Sequence, residues 1–248
     1  MVRSETTTPV FLAGPALAVA APLFASLMLP LASEAPIAFA GDLVLFVYLF
    51  ALARFFTAAA ALDTGSPFEG MGAARELTFA ALAEPALFLG LLALARISGS
   101  LSLSSILEIQ PESWRSATAP LVLIVASWSI VLLAENARVP FDDPSTHLEL
   151  TMIHEAMVLD HSGPAFGAIL YGAAIKLFVF SALVAHVLLP PMGSALADAG
   201  ATLVATVGVA IAIGVVESGM ARLRLARVPQ LLVTASLIAG FAVVLVLR

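Results

Sequence analysis

Apolar residues run along this chain in seven long blocks, at roughly 9–33, 42–62, 76–97, 117–137, 164–190, 201–221 and 229–247. Each reaches the roughly 20 residues that an α-helix needs to cross the hydrocarbon core of a bilayer. The polar positions between them are mostly short loops, but one polar stretch stands apart: residues 133–163, LAENARVPFDDPSTHLELTMIHEAMVLDHSG. There Glu135, Arg138, Asp142, Asp143, Glu149, Glu155 and Asp160 gather with His147, His154 and His161, while most charged residues elsewhere stand singly among apolar ones. The pattern predicts an all-α, polytopic membrane helix bundle, one integral membrane domain over 1–248 with about seven transmembrane helices. It also predicts a cytoplasmic-side polar loop and amphipathic helix within 138–163.

Inside the polar stretch, Pro140 and Pro144 bracket VPFDDP, and the residue before each proline is pushed out of the helical region, so the fourth span should end near Arg138. Ser145 or Thr146 then caps a helix that runs to about His161. At 100° per residue, His147, Thr151, His154 and Glu155 share one arc with His161 at its edge, and Leu148, Met152, Ile153, Ala156, Met157 and Leu159 fill the other. Glu149 and Asp160 project from the apolar arc. An interfacial helix keeps its acids wet, so these two point to a buried polar cavity or a partner surface. The plainer reading is that Asp160 lies past the helix end and Glu149 snorkels or pairs with Arg138.

The histidines do not read as a metal site. In HEAMVLDH, Val158 stands where a second ligand on the next turn is needed, and His147 and His154 are about 10.5 Å apart along a helix. Surface or hydrogen-bonded histidines are the simpler reading, with proton exchange open to them near neutral pH. Among the intramembrane charges, Arg54 and Glu84 each lie about nine residues inside the second and third spans, about 13 Å deep at 1.5 Å per residue, where they can pair across the turn in DTGSPFEGMGAAR. Lys176, near the middle of the fifth span, must pair, lose its proton or line a hydrated path. Glu76 opens the third span and Glu217 lies near the end of the sixth, both close to an interface. His186 reads as structural.

Composition narrows the picture. The chain is 61% hydrophobic and 11% charged, with mean hydropathy +1.06, far from the roughly 25% charged residues of soluble domains. A net charge of −6 and the lack of a basic patch argue against nucleic acid. With no cysteine the chain offers no thiolate for an iron–sulfur cluster, so electron carriers would sit on partner subunits. The start, MVRSETTTPV, lacks the order of a cleaved signal peptide. A cytoplasmic N-terminus places Arg3, Arg75, Arg138, Arg222, Arg224 and Arg227 on one side against Arg96, Arg115 and Arg248, the favoured orientation. The polar stretch is then cytoplasmic.

LAENARVPFDD resembles the LAExxRxPFD signature of the respiratory complex I subunit 1 family. HLELTMIHEAMVLDHSG continues it in the form of the family's membrane-bound hydrogenase branch, the formate hydrogenlyase and hydrogenase-4 type. LARFFTAAAALDTGSPFEGMGAARELTFAALAEPALFLG and SGMARLRL extend the similarity over nearly the whole chain. The resemblance implies a membrane anchor for a peripheral redox arm, linked to antiporter-like subunits by buried carboxylates. It matches Arg75 and Glu84 to the family's arginine and glutamate in the third span. Glu135, Arg138, Pro140, Phe141 and Asp142 match the signature, Glu149 the acid of its ExExEL continuation, and Asp160 the acid before the Ser-Gly pair. Ser145 and His147 replace the first two acids of ExExEL, and about three residues are inserted before the Ser-Gly pair. Those acids border the quinone site in respiratory complex I, which puts quinone binding in question here. The family's usual first helix and RxGP loop have no counterpart in the sequence.

The expected function is a non-catalytic coupling subunit in the cell inner (cytoplasmic) membrane. It would link electron transfer in a peripheral arm to proton or sodium translocation. Its partners would be membrane lipid, antiporter-like subunits and hydrogenase-like and iron–sulfur subunits, the last two carrying the clusters and a nickel–iron centre. Glu84, Glu135, Glu149, Asp142, Asp143, Glu155, Asp160 and Lys176 would form the coupling path, with Arg54, Arg75 and Arg138 as charge partners. Glu76, Glu217, His147 and His154 are secondary candidates. A free-standing secondary ion transporter or channel, with Lys176 and Glu84 lining its path, is the alternative from another class.

Overall fold

In a computed structural model, residues 6, 8–31, 35–142, 153–221 and 223–248 are described. They form helices α1 (Pro9–Ser26), α2 (Asp42–Asp63), α3 (Pro67–Ser98), α4 (Leu103–Leu107), α5 (Pro111–Ser116), α6 (Thr118–Glu135), α7 (Pro164–Leu188), α8 (Ala195–Gly219) and α9 (Val228–Val246). Short 3-10 turns lie at Glu155–Val158 and Leu225–Arg227. No strand occurs among the described residues. The seven long helices, α1, α2, α3 and α6 to α9, are each long and apolar enough to cross a membrane.

The bundle closes where side chains are small. Helix α1 packs against α2 and α7, α3 against α9, α2 and α6, and α6 also against α9, while α8 rests chiefly on α7. The indole of Trp128 of α6 abuts Gly90 of α3, and Gly172 of α7 meets the Ala18 carbonyl of α1, so closely that neither glycine has room for a Cβ. Such approach is how membrane helices gain packing without a hydrophobic drive between them. Ser127 adds a hydrogen bond from α6 to the Ala235 carbonyl of α9 at 2.9 Å. Phe46, Leu91, Leu94, Ile124, Trp128 and Phe180 fill the fully buried centre.

Several helix ends differ from the sequence reading, each for a local reason. Helix α3 starts at Pro67, about nine residues earlier than expected, because Pro67 occupies the first helical turn, where its missing N–H costs nothing. The turn shrinks to Thr64–Ser66, with Gly65 at φ 70°. Glu76 therefore lies well inside α3 and does not open it. Helix α8 starts at Ala195 because Ser194 caps it, accepting the Ala197 N–H at 3.3 Å.

In the polar stretch, residues 143–152 lie outside the described residues, and with them most of the expected amphipathic helix. Its described end is a 3-10 turn over Glu155–Val158 rather than a continuing α-helix. Here the amides of Ile153 and His154 donate to the Asp142 carboxylate, each at 3.1 Å.

On the opposite side of the bundle, buried Asp42 accepts from the Leu103, Phe39 and Ser102 groups and fixes the loop into α4. The ring nitrogens of His186 face the Ala182 and Pro30 carbonyls at 2.7 and 2.8 Å, tying α7 to the turn after α1.

Gly172→Ala is expected to cost about 1–3 kcal/mol, the usual penalty for overpacking, and to lower the melting temperature in detergent. At Gly167 a Cβ would meet nothing within 4 Å, so Gly167→Ala should leave it unchanged. Tryptophan fluorescence during heating reads both.

Candidate functional site

Four helices point charge at one place. The guanidinium of Arg54, on α2 and only 8% exposed, donates from Nη1 to Glu84 of α3 at 2.7 Å. From Nη2 it donates to both oxygens of Glu135 of α6, at 2.6 and 2.5 Å. Its Nε lies 3.6 Å from Glu76 of α3. Glu135 also receives the Lys176 ammonium of α7 at 2.8 Å, and that ammonium sits 6.0 Å from the centre of the Phe180 ring. Glu135 has almost no exposed side-chain surface, whereas 35% of the Glu84 side chain remains exposed at the flank of the bundle. Three carboxylates face two fixed cations, so the group carries one negative charge in excess.

Beside it lies a cavity of about 80 Å³, lined by Arg54, Glu76, Glu135, Lys176, Asn136 and His154 among others, with room for a few water molecules. A much smaller cavity continues past Glu76, Glu135 and Ala137 to Phe141, Asp142 and Ile153. Ala137 lines both, as do Glu76 and Glu135. It ends α6 in a Schellman motif, with Arg138 N–H to the Leu133 carbonyl at 2.9 Å and Ala137 N–H to the Ala134 carbonyl at 3.2 Å. Its φ of 49° is in the left-handed region where glycine is usual. From this corner the chain runs over the cis Val139–Pro140 bond, held by the Leu223 N–H on the Pro140 carbonyl at 3.0 Å, to Asp142.

His154 is half-buried, and its Nε2 has no hydrogen-bond partner among the described residues. Burial pushes its pKa below the ordinary 6.5. Glu76, Asp142 and Glu155 oppose that shift and Lys176 adds to it. His161 stacks on Phe11 with ring centres 4.1 Å apart. Burial lowers its pKa as well, against the pull of Asp160.

The structure thus gathers Arg54, Glu76, Glu84, Glu135 and Lys176, with His154 at the cavity and Asp142 holding the segment that carries it. Glu155 lies in the 3-10 turn. Asp160 is exposed beyond it. Arg138 pairs with Glu217 at 3.5 Å on the rim, away from the cluster. Arg75 donates to the Met71 sulfur at 3.2 Å. Asp143, His147 and Glu149 lie outside the described residues.

Arg54 and Glu84 do pair, but not at equal depth. Glu84 is 17 residues into α3 and Glu76 is nine, so Glu76 is the one level with Arg54. Sequence reasoning missed Glu69, fully buried at the start of α3. Its spacing of seven residues from Glu76, with Glu84 eight further on, puts all three on one helix face and was the available signal.

Arg54→Gln would orphan buried carboxylates and is expected to cost about 3–5 kcal/mol, seen as loss of monodisperse protein in detergent. Adding Glu135→Gln should recover part of it. Because both histidines titrate lower folded than unfolded, their contribution is present above pH about 6.5 and is lost as pH falls. Melting temperature should drop between about pH 7 and pH 5, and drop less in His154→Gln.

Known proteins share both sequence and shape with this chain. It is 36% identical to formate hydrogenlyase subunit 4 of Escherichia coli (strain K12) over 199 residues, 77% of this chain and 64% of that protein. It is 37% identical to hydrogenase-4 component C of the same organism over 174 residues, 70% of this chain and 52% of that protein. The chain thus spans under two thirds of the length of these relatives. A chain of the archaeal membrane-bound sulfane sulfur reductase, a respiratory membrane complex, shares the fold with TM-score 0.82 at 22% identity, covering 99% of this chain and 82% of that one. Matched over residues 1–248, this multi-pass membrane protein belongs to the NADH dehydrogenase family, in its subunit 1 line.

Proposed function

We propose that this chain is the membrane anchor and coupling subunit of a complex-I-like oxidoreductase of the hydrogenase or formate hydrogenlyase type. It lies in the inner (cytoplasmic) membrane with its N-terminus cytoplasmic. The observation that carries the reading is the buried cluster of Arg54, Glu76, Glu84, Glu135 and Lys176. Charge at this depth is costly and is kept where ions or protons are handled. One negative charge in excess makes the cluster a place where a single proton is taken up or released as its geometry changes. Iron–sulfur clusters and a nickel–iron centre belong to partner subunits on the side where α6 ends.

Two further features support the assignment. Glu84 keeps a third of its side chain exposed on the flank of a membrane bundle, where lipid is a poor neighbour for a carboxylate and a polar face of an antiporter-like subunit is a good one. Both bacterial relatives are named as components of larger enzymes, which favours a subunit over a free-standing carrier.

The test begins with extraction from the native membrane in mild detergent, followed by mass spectrometry and assay of iron and nickel in what remains bound. Nickel, iron and antiporter-like subunits are expected, and a metal-free chain running alone would overturn the reading. In the complex reconstituted into liposomes, Glu84→Gln and Glu135→Gln should each abolish ion pumping per electron while part of the redox turnover survives. Pumping that persisted in both would remove the cluster from the path.

A further inference from the structure

Two cavities that the coupling function does not use follow one another along the start of α2. One is a recess of about 230 Å³, against about 80 Å³ for the cavity beside the cluster. Phe39, Ser100, Ser102, Ser104, Ser105 and Glu108 line it. The other is an apolar groove of about 400 Å³ on the exposed face of α2, lined by Leu45, Tyr48, Leu49, Leu52 and Phe55. The recess takes in the residues just before α2, and the groove begins one turn inside the helix.

The recess is polar and only partly satisfied. The Ser102 hydroxyl donates to Asp42 at 3.3 Å. The Ser100 and Ser104 hydroxyls accept, from the Ser102 N–H at 3.1 Å and the Ala35 N–H at 3.0 Å, but their own protons, and that of Ser105, reach no acceptor among the described residues. Ser104 is 4% exposed, and an unused O–H is costly at that depth. The Glu108 carboxylate is exposed and has no ion-pair or hydrogen-bond partner among the described residues. Asp42 is already taken up by the Phe39 and Leu103 amides and the Ser102 hydroxyl. No lysine or arginine lines the recess among the described residues, so it offers free hydroxyl protons and one unpaired anion. The groove has a matching dimension. From Leu45 to Phe55 it runs about 15 Å along the helix axis, half of the roughly 30 Å hydrocarbon core, which is the depth of one leaflet. Tyr48 packs edge-on against Phe88 of α3 with ring centres 6.2 Å apart, which holds the groove wall in place.

We propose that the recess and the groove together bind one phospholipid with an amine headgroup of the phosphoethanolamine type. Its ammonium meets Glu108, its phosphate oxygens take the free serine protons, and one acyl chain lies along α2 from Leu45 to Phe55. Charge selects the headgroup: an unpaired carboxylate with no cation beside it attracts an ammonium and repels a headgroup of net negative charge. Length selects a lipid over a partner helix, because a helix that crosses the membrane calls for a contact face twice as long. The lipid bridges the loop after α3 and the start of α2, which the Gly41 N–H already joins to the Leu101 carbonyl at 3.0 Å. The site is independent of the coupling function proposed above.

The full chain, with whatever subunits stay bound to it, is placed in nanodiscs of equal parts phosphatidylethanolamine and phosphatidylglycerol, released into mild detergent and weighed by native mass spectrometry. Phosphatidylethanolamine should be retained in preference to phosphatidylglycerol. Glu108→Gln should reduce that preference about tenfold, the effect of losing one charge-assisted hydrogen bond, and Ala51→Trp, which fills the groove, should release the lipid. Equal retention of the two lipids, or a preference unchanged in Glu108→Gln, would overturn the site. A photoreactive benzoylphenylalanine in place of Leu52, in an otherwise unmodified chain, gives a second readout should either variant fail to assemble. It should couple to phosphatidylethanolamine; coupling to another subunit would give the groove to a protein partner and overturn the proposal. Either failure would leave the coupling function standing, since Glu108, Ala51 and Leu52 take no part in it.

Discussion

The fold depends on the Arg54 guanidinium being shared among carboxylates from two other helices. Moving an ion into a low-dielectric interior costs several kcal/mol even after relaxation, so no one of these acids could sit in a membrane bundle alone. The planar fork of arginine suits the task, because two of its nitrogens meet Glu84 and Glu135 while a third faces Glu76. Lys176 completes the neutralisation of Glu135 from the far side. The close approaches at Gly90 and Gly172 have the same end: they let α3, α6, α7 and α1 come near enough for side chains of fixed length to converge.

Such a cluster is rigid only while every partner is present, which makes it responsive to small changes at its edge. The loop after α6 supplies that edge. It is tied to α6 by the Schellman bonds, to the chain after α8 by the Leu223 amide, and to the segment from Ile153 by Asp142. A displacement at the surface therefore has a continuous hydrogen-bonded route to the wall of the buried cavity. Packed helices alone would offer no such directed link, because apolar contacts are not specific in orientation.

Much of this was legible in the sequence. Hydropathy placed seven spans, since the need to cover an apolar core applies residue by residue. The Arg54–Glu84 pair followed from counting depth, although the count assumed that α3 began where the polar residues ended. It does not, because Glu69, Gly72 and Glu76 are covered by a segment about 80 residues away in sequence; hydropathy averages over neighbours in the chain and misses neighbours in space. For the same reason Lys176 was seen as needing a partner but Glu135 was not identified as that partner. The pairing depends on the rotation of α6 against α7, which neither period nor composition encodes. The described part of the expected amphipathic helix is a 3-10 turn, and the two amides just before it go to Asp142, a tertiary bond that no local pattern encodes.

Ala137 carries a last consequence. A left-handed alanine is about 1 kcal/mol less favourable than a glycine in the same place, and here it lines two cavities that share the same pair of glutamates. Among the described residues it is a non-glycine residue held at positive φ beside the cluster. Glycine at this corner would keep the bend without the cost and would take away a methyl group that lines both cavities.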